Sequence, residues 1–192
     1  MNKNIEHYFF HKENFLDKQF CQDSVDKLNS LDWKKHKWYD SKADSLQGES
    51  GDNEPEIPAR DSKCDEKINS FIIQKLHSAV LEYVESFKFN WFVSWDGYTR
   101  IKFIRYCPSQ TMANHCDHIQ HMFDGERRGI PVLSIIGLLN DDYEGGELIM
   151  FEDKKIDTKK GDLLIFPSNF LYPHEVAPVT KGVRYSYVSW VW

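Results

Sequence analysis

The hydrophobic pattern changes period once, near residue 89, and that change limits the fold more than any other feature of the chain. Upstream, Ile68, Phe71, Ile72, Leu76, Ala79, Val80, Tyr83, Val84 and Phe87 recur at steps of three and four, which puts them on one stripe of a helix over residues 65–87. Ser62 or Asp65 would cap it. Downstream, the apolar, β-branched and aromatic residues fall into short runs: Tyr98 to Tyr106, Val132 to Asn140, Glu147 to Phe151, Asp162 to Phe166 and Val183 to Trp192. Turn signals at Asp96-Gly97, Glu144-Gly145-Gly146, Lys160-Gly161-Asp162 and Lys181-Gly182 separate them. A helical lead-in followed by many short strands argues for a sandwich or barrel with helices packed on one side.

The first forty residues are less regular. Ile5 to Phe10 and Trp33 to Tyr39 read as strands, and Asp23 or Ser24 as the cap of a short helix carrying Val25, Leu28 and Leu31. Residues 40–64 are rich in Asp, Ser, Glu, Gly and Pro and poor in large apolar side chains. Such a stretch buries too little surface to offset its ordering entropy, so it reads as a long mobile loop, either a lid over a substrate groove or an insertion. With 192 residues the expected plan is one domain over residues 1–192, a helical and β support over 1–97 and a β core over 98–192.

The net charge of −6 withholds the simplest argument for a nucleic-acid partner, a basic face. Lys34-Lys35-His36-Lys37, Arg127-Arg128 and Lys154-Lys155 are short, lie beside acids, and read as solvated surface. Cys21, Cys64, Cys107 and Cys116 include no C-x-x-C pair and do not resemble a disulfide scaffold. No apolar run approaches a membrane span or a leader segment, so the expectation is a reduced cytoplasm and no membrane.

The chemistry concentrates at Asn114-His115-Cys116-Asp117-His118. In an extended segment residues i and i+2 share a face, so His115 and Asp117 can present an imidazole and a carboxylate to one ion while Cys116 points away. His174, opening the expected strand His174-Glu175-Val176, is the best third ligand. Two histidines and one carboxylate on one face of an octahedron leave three positions open, the usual arrangement for non-haem iron(II) enzymes that activate oxygen. Ten residues on, Arg184 and Ser186 share a strand face, and a guanidinium beside a hydroxyl fits the far carboxylate of a dicarboxylic cosubstrate. His118 and His121 read as residues supporting the ligands or facing solvent, and His118 to Gly129 as a loop at the substrate entrance. Gly145-Gly146 reads as a tight turn, and Trp190 and Trp192 as core.

Tyr106, His115-x-Asp117, Gly145-Gly146-Glu147-Leu148, Gly161-Asp162-Leu163-Leu164-Ile165-Phe166-Pro167, Pro173-His174-Glu175-Val176 and Gly182-Val183-Arg184 together resemble the iron(II)- and 2-oxoglutarate-dependent dioxygenases, most closely the prolyl 4-hydroxylase-like branch. The resemblance covers roughly residues 98–192. It implies a mostly β fold with a helical layer, a double-stranded β-helix of the jelly-roll or cupin type. It implies Fe(II) on His115, Asp117 and His174, 2-oxoglutarate chelating that iron with its distal carboxylate on Arg184 and Ser186, and Tyr106 leaning over the cosubstrate. Oxygen would take the last position, with ascorbate as reductant. The implied reaction is hydroxylation of an unactivated C–H bond, of a prolyl residue in a protein or peptide, with a small molecule, free amino acid or nucleic-acid base as alternative substrates. The chain departs from the family at Ser109 and Met112, where glycine and tyrosine are common. Asp117 is intact, which disfavours the halogenating relatives that lack this carboxylate. A zinc hydrolase could use the same ligands but would have no use for Arg184 and Ser186. A non-catalytic metal-binding module would make no succinate.

Overall fold

The structure is a computed structural model that describes residues 4–36, 38–40, 45–47, 55–58, 63–92, 97–117 and 129–192. After a 3-10 turn at Ile5–Tyr8, its elements are β1 (Phe10–Lys12), α1 (Lys18–Asn29), β2 (Trp33–Lys35), β3 (Trp38–Asp40), β4 (Ser45–Gln47), β5 (Glu56–Pro58) and α2 (Lys63–Glu85). The second half is all strand: β6 (Lys102–Tyr106), β7 (Met112–His115), β8 (Leu133–Leu138), β9 (Glu144–Gly145), β10 (Leu148–Met150), β11 (Lys154–Ile156), β12 (Leu163–Pro167), β13 (His174–Val176), β14 (Val179–Lys181) and β15 (Arg184–Val191).

Seven strands form a major sheet in the order β1-β12-β8-β15-β6-β5-β2, and four form a minor sheet in the order β11-β10-β13-β7. Every pairing is antiparallel, and both faces of the major sheet are covered. One face meets the helices: Phe103, Leu133, Ile135, Leu163, Ile165, Tyr185 and Tyr187 pack with Leu28, Ile72, Leu76 and Val80. The other meets the minor sheet: Ile104, Tyr106, Ile136, Leu138, Leu164 and Phe166 pack with Leu148, Met150 and Val176. Neighbouring residues such as Ile135 and Ile136 therefore serve opposite cores, as the period of two requires. This explains why β8 and β12 read as continuous apolar runs rather than alternating ones. Gly137 is small for a reason of space: a Cβ there would lie 2.0 Å from the ring of Tyr187, its partner across the sheet. The two facing sheets with helices on one outer face are the expected jelly roll.

The N-terminal half departs from the sequence reading in detail. Ile5–Tyr8 is a 3-10 turn, and the strand starts only at Phe10. The first helix begins well before Asp23, because the side chain of Asp17 accepts from the backbone N–H groups of Gln19 and Phe20 at 2.8 and 3.2 Å and caps it there. Val25 and Leu28 are buried as expected, while Leu31 lies beyond the helix end. Trp33 to Tyr39 is two strands rather than one, and the expected loop over 40–64 contains β4, paired with β3, and β5, paired with β2 and β6. Residues 41–44, 48–54 and 59–62, including the candidate cap Ser62, lie outside the described residues. On α2 the expected stripe is buried at Ile68, Ile72, Leu76, Ala79, Val80 and Tyr83, while Phe71 stays 40% exposed against Phe20.

The turn from β6 to β7 holds Ser109 at φ +71°. Its N–H donates to Val179 O at 2.8 Å, and Gln110 N–H donates to Cys107 O at 3.0 Å, so the backbone is fixed in the left-handed region that favours glycine. Ser109→Gly should raise stability by about 0.5 to 1 kcal/mol, the relief of left-handed strain less the extra flexibility of the unfolded chain. Urea unfolding of the two proteins measures it, and a destabilised glycine variant would refute the strain argument.

Candidate metal centre

Pairing of β13 with β7 sets His174 directly opposite His115, with ring centroids 4.4 Å apart. The register shifts between this pair and Val176–Met112, a bulge of the kind that re-aims side chains beside functional sites. Asp117 follows β7, and its Oδ1 lies 3.7 Å from His115 Nε2 and 3.8 Å from His174 Nε2. One potential ligand atom from each of the three lies within 4.8 Å of the others, the one such cluster of His, Cys, Asp or Glu among the described residues. His174 is 5% exposed and the Asp117 side chain 11%, whereas the His115 side chain is 38% exposed, so the cluster meets solvent on the His115 side.

The backbone fixes both imidazoles. His115 Nδ1 lies 2.8 Å from Ala113 O, and His174 Nδ1 lies 3.2 Å from Tyr172 O. A carbonyl can only accept, so each Nδ1 carries the hydrogen and donates it, leaving the Nε2 lone pair free to ligate. Burial lowers the His174 imidazole below its ordinary value, against the field of Asp117, which favours the neutral form that a metal ligand requires.

Arg184 begins β15 on the face that looks into the barrel, opposite Tyr106. It is 2% exposed. Its Nη1 donates to Ser186 Oγ at 2.9 Å, and its guanidinium carbon lies 5.1 Å from the centre of the Tyr106 ring. Its Nε is buried with no hydrogen-bond partner, and no carboxylate pairs with it among the described residues. Gly146, at φ +65°, makes room for it: a Cβ there would come 3.0 Å from Arg184 Cδ. The turn at Gly145-Gly146 thus does need glycine torsions, and it also shapes the space around the guanidinium.

The same register adds a residue that motif reading passed over. Lys102, Ile104 and Tyr106 share the inner face of β6, opposite Val188, Ser186 and Arg184. Lys102 Nζ donates to His36 Nε2. His36 was expected on a solvated basic surface; it is 7% exposed, packed beneath Lys102 with its N–H on Pro55 O. Burial, Lys102 and His115 lower the His36 imidazole to about 4, and burial lowers the Lys102 ammonium to about 8 against the opposing field of Asp117. The face alternation of β6 was the available signal for Lys102; His36 had none, since its partner lies 66 positions away. Lys154 and Lys155 are solvated as expected and pair with Glu6 and Glu147. Trp190 and Trp192 are half-buried. His118, His121, Arg127 and Arg128 lie outside the described residues.

Residues 101–192 match the family model of the 2OG-Fe(II) oxygenase superfamily. The match takes in the β-rich half of the chain, from just before β6 through β15. A PKHD-type hydroxylase of Alteromonas mediterranea is 34% identical over 96 residues, which is 46% of this chain and 41% of that protein. One of Xylella fastidiosa (strain M12) is 48% identical over 54 residues, 27% of this chain and 23% of that protein. The matches therefore span less than half the length of these curated relatives. Among solved structures, a Trichoplax adhaerens prolyl hydroxylase in complex with a hypoxia inducible factor peptide aligns with a TM-score of 0.67 at 21% identity, over 97% of this chain and 84% of that one. The viral collagen prolyl hydroxylase of Paramecium bursaria Chlorella virus-1 aligns with a TM-score of 0.63 at 16% identity, over 96% and 94%. At these identities the likeness establishes the jelly roll.

Proposed function

We propose that this chain is an iron(II)- and 2-oxoglutarate-dependent dioxygenase that hydroxylates a prolyl residue of a protein or peptide. The observation that carries the reading is the pairing of two features on the barrel interior: the His115, Asp117 and His174 cluster, and the buried Arg184 with no counter-charge. Two neutral imidazoles and a carboxylate are a donor set that fits ferrous iron. A buried guanidinium with an unspent N–H fits a carboxylate, which would complete its pairing. Bound there, iron and 2-oxoglutarate supply the oxidising power to replace C–H by C–OH, with oxygen as the oxidant and succinate and carbon dioxide as by-products.

The rest falls to the protein. His115 and His174 are held with Nε2 forward by their carbonyl partners, so little reorganisation is needed on metal binding. Arg184 and Ser186 would hold the distal carboxylate, and Tyr106 packs on the guanidinium. The dry barrel core of Ile104, Leu138, Leu148 and Val176 excludes water around the cosubstrate. The prolyl preference is supported by the PKHD-type hydroxylase relatives and the prolyl hydroxylase fold neighbours. Cys21, Cys107 and Cys116 are free thiols, and no helix among the described residues is long and apolar enough to cross a membrane. The reading takes the cytoplasm, where thiols stay reduced, as its compartment and ascorbate as its reductant.

The test is aerobic incubation with ferrous iron, ascorbate and 2-oxoglutarate, with succinate measured against a His174→Ala control, followed by a proline-containing peptide screen read by mass. Succinate above the control and an oxidised peptide are expected. No succinate, together with failure of 2-oxoglutarate to bind the metal-loaded protein, would overturn the reading.

A further inference from the structure

The inner face of β6 and β15 carries two cations, and the cosubstrate accounts for one. Along β6 and β15 the rungs run Tyr106 with Arg184, Ile104 with Ser186, then Lys102 with Val188. Val188 continues the third rung to Ile136, and Ile136 to Leu164. Lys102 thus shares its rung with the aliphatic Val188, Ile136 and Leu164 before the row ends at His11, and it lies four residues and about 13 Å along the strand from Tyr106. That face packs against the minor sheet, whose strands β7 and β13 carry His115 and His174, so Lys102 and its partner His36 lie on the side of the sheet that faces the metal cluster.

Such a placement is costly unless something compensates it. The partner that Lys102 has is neutral: its ammonium donates to His36 Nε2, so the remaining imidazole hydrogen is on Nδ1. That Nδ1 is buried and has no hydrogen-bond partner. The ammonium keeps two further N–H donors. Asp117 is the nearby acid, but a metal ion on His115, Asp117 and His174 would take up its charge. The loaded centre then leaves a cation with unspent donors, and a second orphaned N–H, on the rung of Val188, Ile136 and Leu164. A small planar anion suits those donors better than a polyphosphate, which would need more cations than this acidic chain gathers here.

We propose that Lys102 and His36 form a carboxylate-binding subsite beside the metal cluster, distinct from the Arg184 subsite. The inference rests on the dioxygenase reading for the identity of its occupant, which is either the metal-proximal carboxylate of 2-oxoglutarate or a carboxylate of the substrate. In the second case Lys102 selects acidic substrates or the carboxyl end of a peptide.

The experiment uses the full chain loaded with Mn(II) under anaerobic conditions, as wild type, Lys102→Met and Lys102→Arg. The affinity for 2-oxoglutarate is measured by tryptophan fluorescence. Propionate, a bare carboxylate, is then titrated with and without saturating 2-oxoglutarate, and broadening of its proton resonances by Mn(II) is recorded. Loss of a charge-assisted hydrogen bond should weaken binding about 10- to 100-fold. If the 2-oxoglutarate dissociation constant rises by that factor in Lys102→Met and recovers in Lys102→Arg, the subsite holds the cosubstrate. If 2-oxoglutarate binds all three proteins equally but the propionate broadening of the saturated protein is lost in Lys102→Met and kept in Lys102→Arg, it serves the substrate. If neither ligand distinguishes wild type from Lys102→Met, the subsite does not exist. Should wild type fail to bind 2-oxoglutarate, the dioxygenase reading falls, while the propionate arm without cosubstrate still decides the subsite. Lys102→Met removes a half-buried charge and is expected to fold; Lys102→Arg keeps the charge and provides the second reading if it does not.

Discussion

Asp117→Ala should abolish turnover of 2-oxoglutarate to succinate and lower the affinity for divalent metal by more than about 100-fold. Residues that merely support a ligand change metal affinity by about 10- to 100-fold, so loss of the one anionic ligand sets a larger effect. Asp117 lies within 3.8 Å of the Nε2 atoms of both histidines and is the one carboxylate of the cluster. Without it, two neutral imidazoles remain, and a divalent ion bound in a site with a mostly dry wall would keep an uncompensated charge. The change should spare the fold, because Asp117 follows the end of β7 and, among the described residues, makes no hydrogen bond that ties one element to another. Titration calorimetry with Mn(II) and a succinate assay check both halves. An alanine variant that keeps the wild-type metal affinity would show that Asp117 is not a ligand, whatever its effect on turnover.

The cluster of His115, Asp117 and His174 was legible because two of its members are neighbours on one extended segment. His115 and Asp117 obey the period of two, and that local rule survives any arrangement of the rest of the chain. His174 needed the strand pairing that sets it across from His115, which a single sequence states only through the order of its motifs. Arg184 and Ser186 were legible for the same local reason. Lys102 and His36 were not singled out. His36 stands in a run of three lysines and looks like surface; what accompanies its burial is the backbone bond to Pro55 and the side-chain bond to Lys102, neither of which its neighbours in sequence announce.

The fold shows the same division. β8, β12 and β15 were visible since they lie at the centre of a doubly covered sheet and must be apolar on both faces. β5 was read as loop because it has three residues, ends in Pro58 and sits near the sheet edge, where pairing of Glu56 with Arg105 replaces apolar burial. The start of α1 was misplaced for a related reason: a cap is a hydrogen-bond geometry, and Asp17, Asp23 and Ser24 are equally eligible by residue type.

Arg184→Met should move cosubstrate binding and stability in opposite directions, and that opposition separates a binding residue from a structural one. The guanidinium is buried with a hydroxyl and an aromatic ring as its described partners, and its Nε has none. Taking a buried charge of this kind out of an unliganded protein removes a desolvation cost, so the variant without cosubstrate should melt at or above the wild-type temperature. Methionine fills much of the same volume against Tyr106 and Gly146. With 2-oxoglutarate present the order should reverse. The distal carboxylate would lose two parallel charge-assisted hydrogen bonds, and its dissociation constant should rise by about 100-fold or more. Wild type should then gain melting temperature on adding cosubstrate and metal, while Arg184→Met gains little, because a ligand stabilises only as far as it binds. Arg184→Lys should recover part of the affinity but not all of it, since an ammonium offers neither the planar fork nor the stacking on Tyr106. Melting curves of the three proteins with and without 2-oxoglutarate settle the matter. A methionine variant that melts far below wild type without ligand would make Arg184 a structural residue of β15, and one that binds 2-oxoglutarate as tightly as wild type would remove it from the site.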